Sequence, residues 1–413
     1  MRITVISCVF SPEPLVSALM SRELSIHLTQ RGFHVTVLCP RPSRPLSTDY
    51  SLFWNSVKPT TTLEDDFEIV RLPSFTAPQS GFLSRARESF SFGRHACLYL
   101  KRQKESPDVL YVNAWPLLSQ ALIAKYAQRN AIPMVLQIMD VYPESLLIKM
   151  PHVLRKIVSP PLRELDRWTA RKADKIVVIS ENMRQTYVNR RKIMQDKVQT
   201  INIWQDESLF ETLPSRQKGC EYYSVPDNRF TFLYLGNIGP VAGVEFLIQT
   251  FHHAAIENTQ LLIVGDGSVK SRLVEMVKRL QIDHVRFISD PEPKNVPLIQ
   301  SMAHVCLLPM KRLAGMSSIP SKLAAYMFSA RPVLASVDKD SDTAHAIKKA
   351  DCGWVVGPEK EKTLAAMMWR IAILPSYELE KRGQNGRNYG LLHFAKSRNV
   401  PALGNIVLKA CNR

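Results

Sequence analysis

Short apolar, β-branched runs alternate along this chain with longer stretches whose apolar positions recur three or four residues apart. The runs RITVISCV (2–9), HVTVLCP (34–40), FEIVRLPS (67–74), PDVLYVNAW (107–115) and IPMVLQI (132–138) predict strands buried on both faces. Between the first two, Leu19–Arg31 reads as a helix that Gly32 ends. A strand–helix–strand opening predicts a doubly wound parallel sheet, with ligands past the carboxyl ends of its strands. The Phe10–Ser17 loop should then line a site. Residues 41–66, rich in Pro, Ser and Thr, read as an excursion from the sheet. Residues 162–187 read as a helix, a strand and a helix N-capped by Ser180, and VQTINIWQD (198–206) closes this half.

Residues 207–229 are polar and irregular, as a linker is. The pattern then restarts at RFTFLYLGNIGPVAGV (230–245), a strand ending in a glycine-rich loop that opens a helix. Further strands follow at TQLLIV, HVRFIS, HVCLLP, PVLASV and GWVVGP. The fold class is therefore α/β, with two Rossmann-like halves and a cleft between them, at residues 1–205 and 206–385. Gly236, Gly239 and Gly243 allow a ligand close to the backbone, and the following helix start favours an anion such as a nucleotide diphosphate. The spacing is not the dinucleotide fingerprint, and a tight turn of any α/β protein fits it equally.

Charge narrows the partners. The 413-residue chain carries a formal +17 and a pI near 9.6, so an anionic partner is expected. Residues 1–205 hold 28 Lys and Arg against 17 Asp and Glu; the remainder holds 26 against 20. The anion-facing surface is expected on the first half. GFLSRARESFSFGRHACLYLKRQK (81–104) interleaves aromatic and basic residues. Arg85, Arg87, Phe90, Arg94, Lys101 and Arg102 fit a membrane-surface helix, or a sheet-covering helix with a solvated basic face. No nucleic-acid-binding motif is present. Seven scattered cysteines without Cys-x-x-Cys point away from zinc and disulfides and toward a reducing compartment. No long apolar window spans a membrane, and the opening run is too short for a signal peptide. A cytoplasmic protein, peripheral on the inner face of the membrane, is expected.

An ordered set of motifs carries a resemblance that covers nearly the whole chain: Phe10-Ser11-Pro12-Glu13; Arg31-Gly32-Phe33-His34-Val35-Thr36-Val37; Asp140-Val141-Tyr142-Pro143-Glu144-Ser145; Ala173-Asp174 with Ile179-Ser180; Asn202, Trp204 and Asp206; Gly265-Asp266-Gly267; and Pro320-Ser321-Lys322 followed by Arg331-Pro332-Val333. Together they resemble the GT-B glycosyltransferases, family 4 in particular, of bacterial surface-polysaccharide and lipid-linked sugar assembly. The resemblance implies transfer from a nucleotide sugar, with retention, to a lipid-linked (polyprenyl-diphosphate) saccharide acceptor in capsule, O-antigen or exopolysaccharide biosynthesis. It implies no metal and no cofactor, the donor on the C-terminal half, the acceptor on the N-terminal half, and residues 386–413 returning to the first half.

Carried over by position, the donor contacts are Gly236, Asn237, Gly239, Gly265, Gly267, Ser289, Ser317, Ser321 and Lys322. The catalytic candidates are Asp140 and Glu13. Asp140 fits either an acceptor-contacting carboxylate or an N-cap, and Glu13 either an acceptor ligand or a cap of the first helix. The chain departs from the family pattern. Ser317 and Ala325 stand where two glutamates are usual, Asn237 and Ala242 where an Arg and a Lys are, Ala330 where a glycine is, and Leu15-Val16-Ser17 where the first loop has glycines. These departures keep two other readings open: a non-catalytic GT-B protein of a polysaccharide complex, and a nucleotide-sugar epimerase.

Overall fold

The computed structural model describes residues 1–45, 48–54, 56–77, 81–147, 150–240, 242–289, 292–312 and 319–411. The chain divides into two compact units, Met1–Ile203 with Asn399–Arg413, and Trp204–Arg398.

The first unit holds an eight-stranded sheet: β1 (Arg2–Ser7), β2 (His34–Pro40), β3 (Thr60–Glu64), β4 (Phe67–Leu72), β5 (Val109–Asn113), β6 (Met134–Ile138), β7 (Lys175–Val178) and β8 (Val198–Thr200), in the order β3-β4-β2-β1-β5-β6-β7-β8. All pairs are parallel except β3–β4. That hairpin occupies part of the stretch read as an excursion. Its two-residue turn is Asp65-Asp66, at φ 47° and 63°. Two left-handed residues suit a tight hairpin, and Asp tolerates that conformation. Asp174, which caps no helix, accepts from Met134 N at 2.7 Å and so ties the start of β6. The helix expected from 162 begins at His152 and runs to Lys172 through Pro160 and Pro161.

The second unit holds a parallel six-stranded sheet: β9 (Phe230–Leu235), β10 (Thr259–Val264), β11 (Val285–Ile288), β12 (Val305–Pro309), β13 (Val333–Ser336) and β14 (Gly353–Val356), in the order β11-β10-β9-β12-β13-β14. The stretch read as a linker contains a helix, Arg216–Tyr222, N-capped by Ser215.

The return to the first unit starts at Asn399, not at 386. The helix Ser376–His393 stays with the second unit because three glycines let it lie close against the helix Ser321–Phe328 and its end. A Cβ on Gly383 would meet Ala330 O at 2.1 Å, and one on Gly390 would meet Met327 Cβ at 2.9 Å. Beyond it, Gly404 packs on His27, and Asn399 Nδ2 donates to Asn202 O at 3.3 Å.

Candidate active site

In each sheet the strand order reverses at one point: between β1 and β5 in the first, and between β9 and β12 in the second. Loops diverge there and leave room past the carboxyl ends of the strands.

At the β1/β5 edge lies a cavity of about 620 Å³, lined by Cys8, Arg85, Asn113, Trp115, Asp140 and Tyr142 among others. Behind Asn113 in its wall lies a fixed polar relay. Asn113 Nδ2 donates to Ser21 Oγ at 3.1 Å, and Ser7 Oγ donates to Ser21 Oγ at 2.8 Å. Cys8 is buried and its thiol is pushed up to about 12, so it stays protonated. Asp140 stands half-buried just past β6 in the cavity wall, close enough to help raise the Tyr142 phenol after burial has done most of that. The Asp140–Ser145 loop is held from behind. Glu144 accepts from Arg191 at 3.1 and 2.6 Å, Arg191 donates to Asp166 at 2.6 Å, and Tyr187 donates to Asp166 at 3.0 Å. Burial pushes Asp166 up to about 6 against the pull of Arg191.

Glu13 does not reach this cavity as a free carboxylate. It is 4% exposed, and its Oε1 accepts from Ser43 N and Arg44 N, both at 2.9 Å. Glu13 therefore holds the loop after β2, and the catalytic role expected for it is corrected to an anchoring one.

The basic helix, Phe82–Arg102, also divides differently than expected. Arg87, Phe90, Arg94 and Lys101 are exposed, Phe90 at 50%, and Arg87 stacks on Phe75. Arg102 sits at the opposite, amino edge of the sheet, in a recess with Arg2 and His34. Arg85 turns into the cavity, with its guanidinium 5.2 Å from the Trp115 ring centre. The other side of this cluster is Arg44, 4.9 Å from the same ring and doubly hydrogen-bonded to the buried Glu88.

Beside the β9/β12 edge, the loops that follow β9 and β10 cross closely, backbone on backbone. A Cβ on Gly265 would meet Gly236 O at 2.2 Å, and one on Gly267 would meet Ile238 O at 2.4 Å. Both are in the left-handed half of φ, at 135° and 157°, as is Gly236 at 144°. Gly265 and Gly267 have no room for a side chain against the neighbouring loop, which Ile238 N fastens to Asp266 O at 2.7 Å. Gly236 makes room for Lys322, whose Nζ lies 3.0 Å from where its Cβ would be. Lys322 Nζ donates to Tyr234 Oη at 3.0 Å and stands over that ring, and burial pulls its pKa down to about 8. Among the described residues no carboxylate pairs with it. Ser321 opens the same helix. Where β9 and β12 part, Tyr326 Oη takes Leu235 N at 3.0 Å and donates to Leu307 O at 3.3 Å.

Beside this crossing, a cavity of about 210 Å³ opens at the start of the helix Val244–Ala254, lined by Gly239, Gly243, Pro309, Lys311 and Arg272. Asn237 is exposed. Ser289 is also exposed, and Lys270 donates both to its hydroxyl and, at 2.9 Å, to Gly265 O. Ser317 lies outside the described residues. Ala325 is buried in the core of the unit. Sequence reading missed Trp115, Tyr234, Lys270 and Lys311. The last two carried a signal, each being a basic residue just past a strand's carboxyl end.

Two doubly wound sheets, each with its open site at the point of strand reversal, define the GT-B class of fold. Residues 19–203 match the family model for Glycosyltransferase Family 4, and residues 221–389 match that for Glycosyl transferases group 1. The chain is a family 4-like GT-B glycosyltransferase. It is 24% identical over 280 residues to a probable glycosyltransferase, WbjE, of Pseudomonas aeruginosa, a match that spans 64% of each chain. It is 22% identical over 397 residues to WcaI of Escherichia coli K12, a putative colanic acid biosynthesis glycosyl transferase, covering 92% of this chain and 95% of that one. Among solved structures it shares its fold with Anabaena HepE in complex with UDP, at TM-score 0.69 and 14% identity, over 99% of this chain and all (100%) of that one.

Proposed function

We propose that the protein moves a sugar from a nucleotide sugar to a polyprenyl-diphosphate-linked saccharide in surface-polysaccharide assembly, with retention and without a metal. The observation that carries this is the partly buried, desolvated Lys322 ammonium, lodged at the glycine crossing with no carboxylate partner among the described residues. A desolvated charge without a counterion is a standing demand for an anion. A diphosphate meets it, and the start of the Val244–Ala254 helix with Lys311 adds positive potential. The names of the relatives agree: HepE holds UDP, and WcaI is assigned to colanic acid biosynthesis.

In the step itself, the acceptor hydroxyl oxygen bonds to the anomeric carbon as the bond from that carbon to the diphosphate oxygen breaks. The hydroxyl proton passes to the departing diphosphate. Asp140 orients the acceptor hydroxyl, and Lys322 balances the charge that grows on the leaving group. The exposed stripe of Arg87, Phe90, Arg94 and Lys101 seats the protein on the anionic inner face of the membrane.

The test incubates purified protein with UDP-, GDP- and ADP-sugars and synthetic polyprenyl-diphosphate saccharides. A lipid-linked product with the donor's anomeric configuration, formed in excess chelator, is the expected result. Absence of sugar consumption with every pair refutes the reading, and turnover of the nucleotide sugar without acceptor assigns an epimerase. Ala325, buried where a glutamate is usual, favours one second reading, a GT-B protein that binds nucleotide and no longer transfers. Nucleotide binding without product, unaltered by Ala325→Glu, would establish it.

A further inference from the structure

Beside the cavity at the β1/β5 edge lies an apolar groove of about 170 Å³. The two share Arg85, Trp115, Pro116, Tyr142 and Leu146 as walls. Ala86, Leu117, Leu118 and Leu162 complete the apolar lining. Ser89, also in the wall, has its hydroxyl fully engaged, donating to Pro116 O and accepting from Ser119 N, both at 2.9 Å. Leu117 enters the groove from a backbone at φ 65°, a conformation that side chains like leucine rarely adopt.

Arg85 stands at the junction. On one side are polar groups, Asn113, Gln120, Gln137 and Asp140; on the other is hydrocarbon. Its ion pair to Glu88 is long, at 3.4 Å, because Arg44 already takes both oxygens of Glu88 at 2.8 and 2.9 Å and Ala77 N adds 3.2 Å. The Arg85 side chain is 41% exposed. Its guanidinium fork can therefore take two oxygens of an arriving phosphate.

The order polar cavity, arginine, apolar groove matches the order saccharide, phosphate, prenyl chain. Resting on the lipid-linked acceptor proposed above, we infer that Arg85 grips the acceptor's lipid-proximal phosphate and that the groove holds its first isoprenoid unit. Liquid water takes roughly 30 Å³ per molecule and a chain carbon is of similar size, so the groove admits about one five-carbon branched unit. The rest of the chain has exposed apolar positions to follow, Leu154 and Ile157 on the helix that supplies Leu162 and Leu83 on the helix that supplies Ala86.

The test is calorimetric binding of farnesyl diphosphate, inorganic diphosphate, farnesol and dodecyl phosphate to the full chain. Farnesyl diphosphate is expected to bind at least tenfold more tightly than each of the others. Arg85→Gln and Leu162→Trp are each expected to weaken it at least tenfold, with Arg85→Lys in between, while cooperative thermal unfolding shows the variants folded. Equal affinity in Arg85→Gln and Leu162→Trp overturns the assignment, and dodecyl phosphate binding as tightly as farnesyl diphosphate overturns its isoprenoid part. The transfer assay separates the two readings. This binding pattern without transfer to any lipid-linked saccharide removes the transferase proposal and leaves the groove; transfer without the pattern does the reverse.

Discussion

The two sheets reverse strand order in the same way, yet the loops beside the two reversal points are packed by opposite means. On the second sheet the loops after β9 and β10 are held backbone to backbone: glycines 236, 265 and 267 let one loop lie on the other, and Lys322 reaches into the gap they leave. At β1/β5 the walls are side chains around a cavity about three times as large, with Asp140, Tyr142, Trp115 and Arg85 facing inward. Backbone crossings tolerate no variation in shape, which suits a group common to every donor. A side-chain-lined cavity can be reshaped one residue at a time, which suits an acceptor that differs between enzymes.

The largest effect should come from breaking the backbone edge. Gly265→Ala places a Cβ 2.2 Å from Gly236 O at a φ of 135°. The strained conformation and the overlap together should cost about 3–4 kcal/mol in chemical unfolding and remove nucleotide binding. Loss of less than about 1 kcal/mol would mean the crossing is looser than described.

Next in size is the side-chain edge. Asp140→Asn keeps the shape of the cavity wall and removes the charge, so kcat should fall about 100-fold while nucleotide affinity is kept. A change below about threefold, under 1 kcal/mol, would return Asp140 to a structural role.

Lys322 sharpens the comparison through pH. Its ammonium is the form that binds a diphosphate, and burial has brought its pKa down to about 8. UDP affinity should be flat below pH 8 and then fall up to tenfold per unit, because binding must first restore the proton. Lys322→Met should weaken UDP by about 1.5–3 kcal/mol and flatten the profile. The sign for stability is opposite. The folded pKa lies below that of an unfolded lysine, so the native state holds fewer protons above pH 8 and gains stability from there toward 10.5. At pH 7 the methionine variant should therefore melt higher than the parent while binding less, a trade-off read in one thermal-shift series with and without UDP.

Most strands were legible because buried parallel strands are unbroken apolar runs, and β1, β2 and β9 are of that kind. The β3–β4 hairpin was not, since its turn is two aspartates where a glycine is the usual sign. The end of the second unit was missed because the three glycines of the helix Ser376–His393 look like helix breakers until their neighbours are known. For the site, Gly236 and Lys322 were both named from separate motifs, but nothing in a chain shows that the ammonium of one lies 3.0 Å from where a Cβ on the other would be, 86 positions away. Arg85 was readable in part. At 100° per residue it points away from the face shared by Arg87, Phe90, Arg94 and Lys101, so it did not belong with their exposed stripe.

Glu13 gives the smallest catalytic effect and the finest test of the division between the two edges. A short loop motif fixes that a carboxylate is present, not which way it turns, and here one oxygen accepts two backbone N–H groups at 2.9 Å from inside the protein. Burial pushes its pKa up despite those bonds, so the carboxylate form is costly and the acceptor oxygen is what the fold uses. Glu13→Gln keeps that oxygen and should leave kcat within about threefold and stability within about 1 kcal/mol. Glu13→Ala leaves both N–H groups buried and unpaired, at about 1–3 kcal/mol each, and should unfold several degrees earlier. A catalytic carboxylate would show the reverse ordering, with the glutamine variant folded but nearly inactive. The two melting curves beside the two rates therefore decide whether any part of the chemistry reaches back as far as the loop after β1.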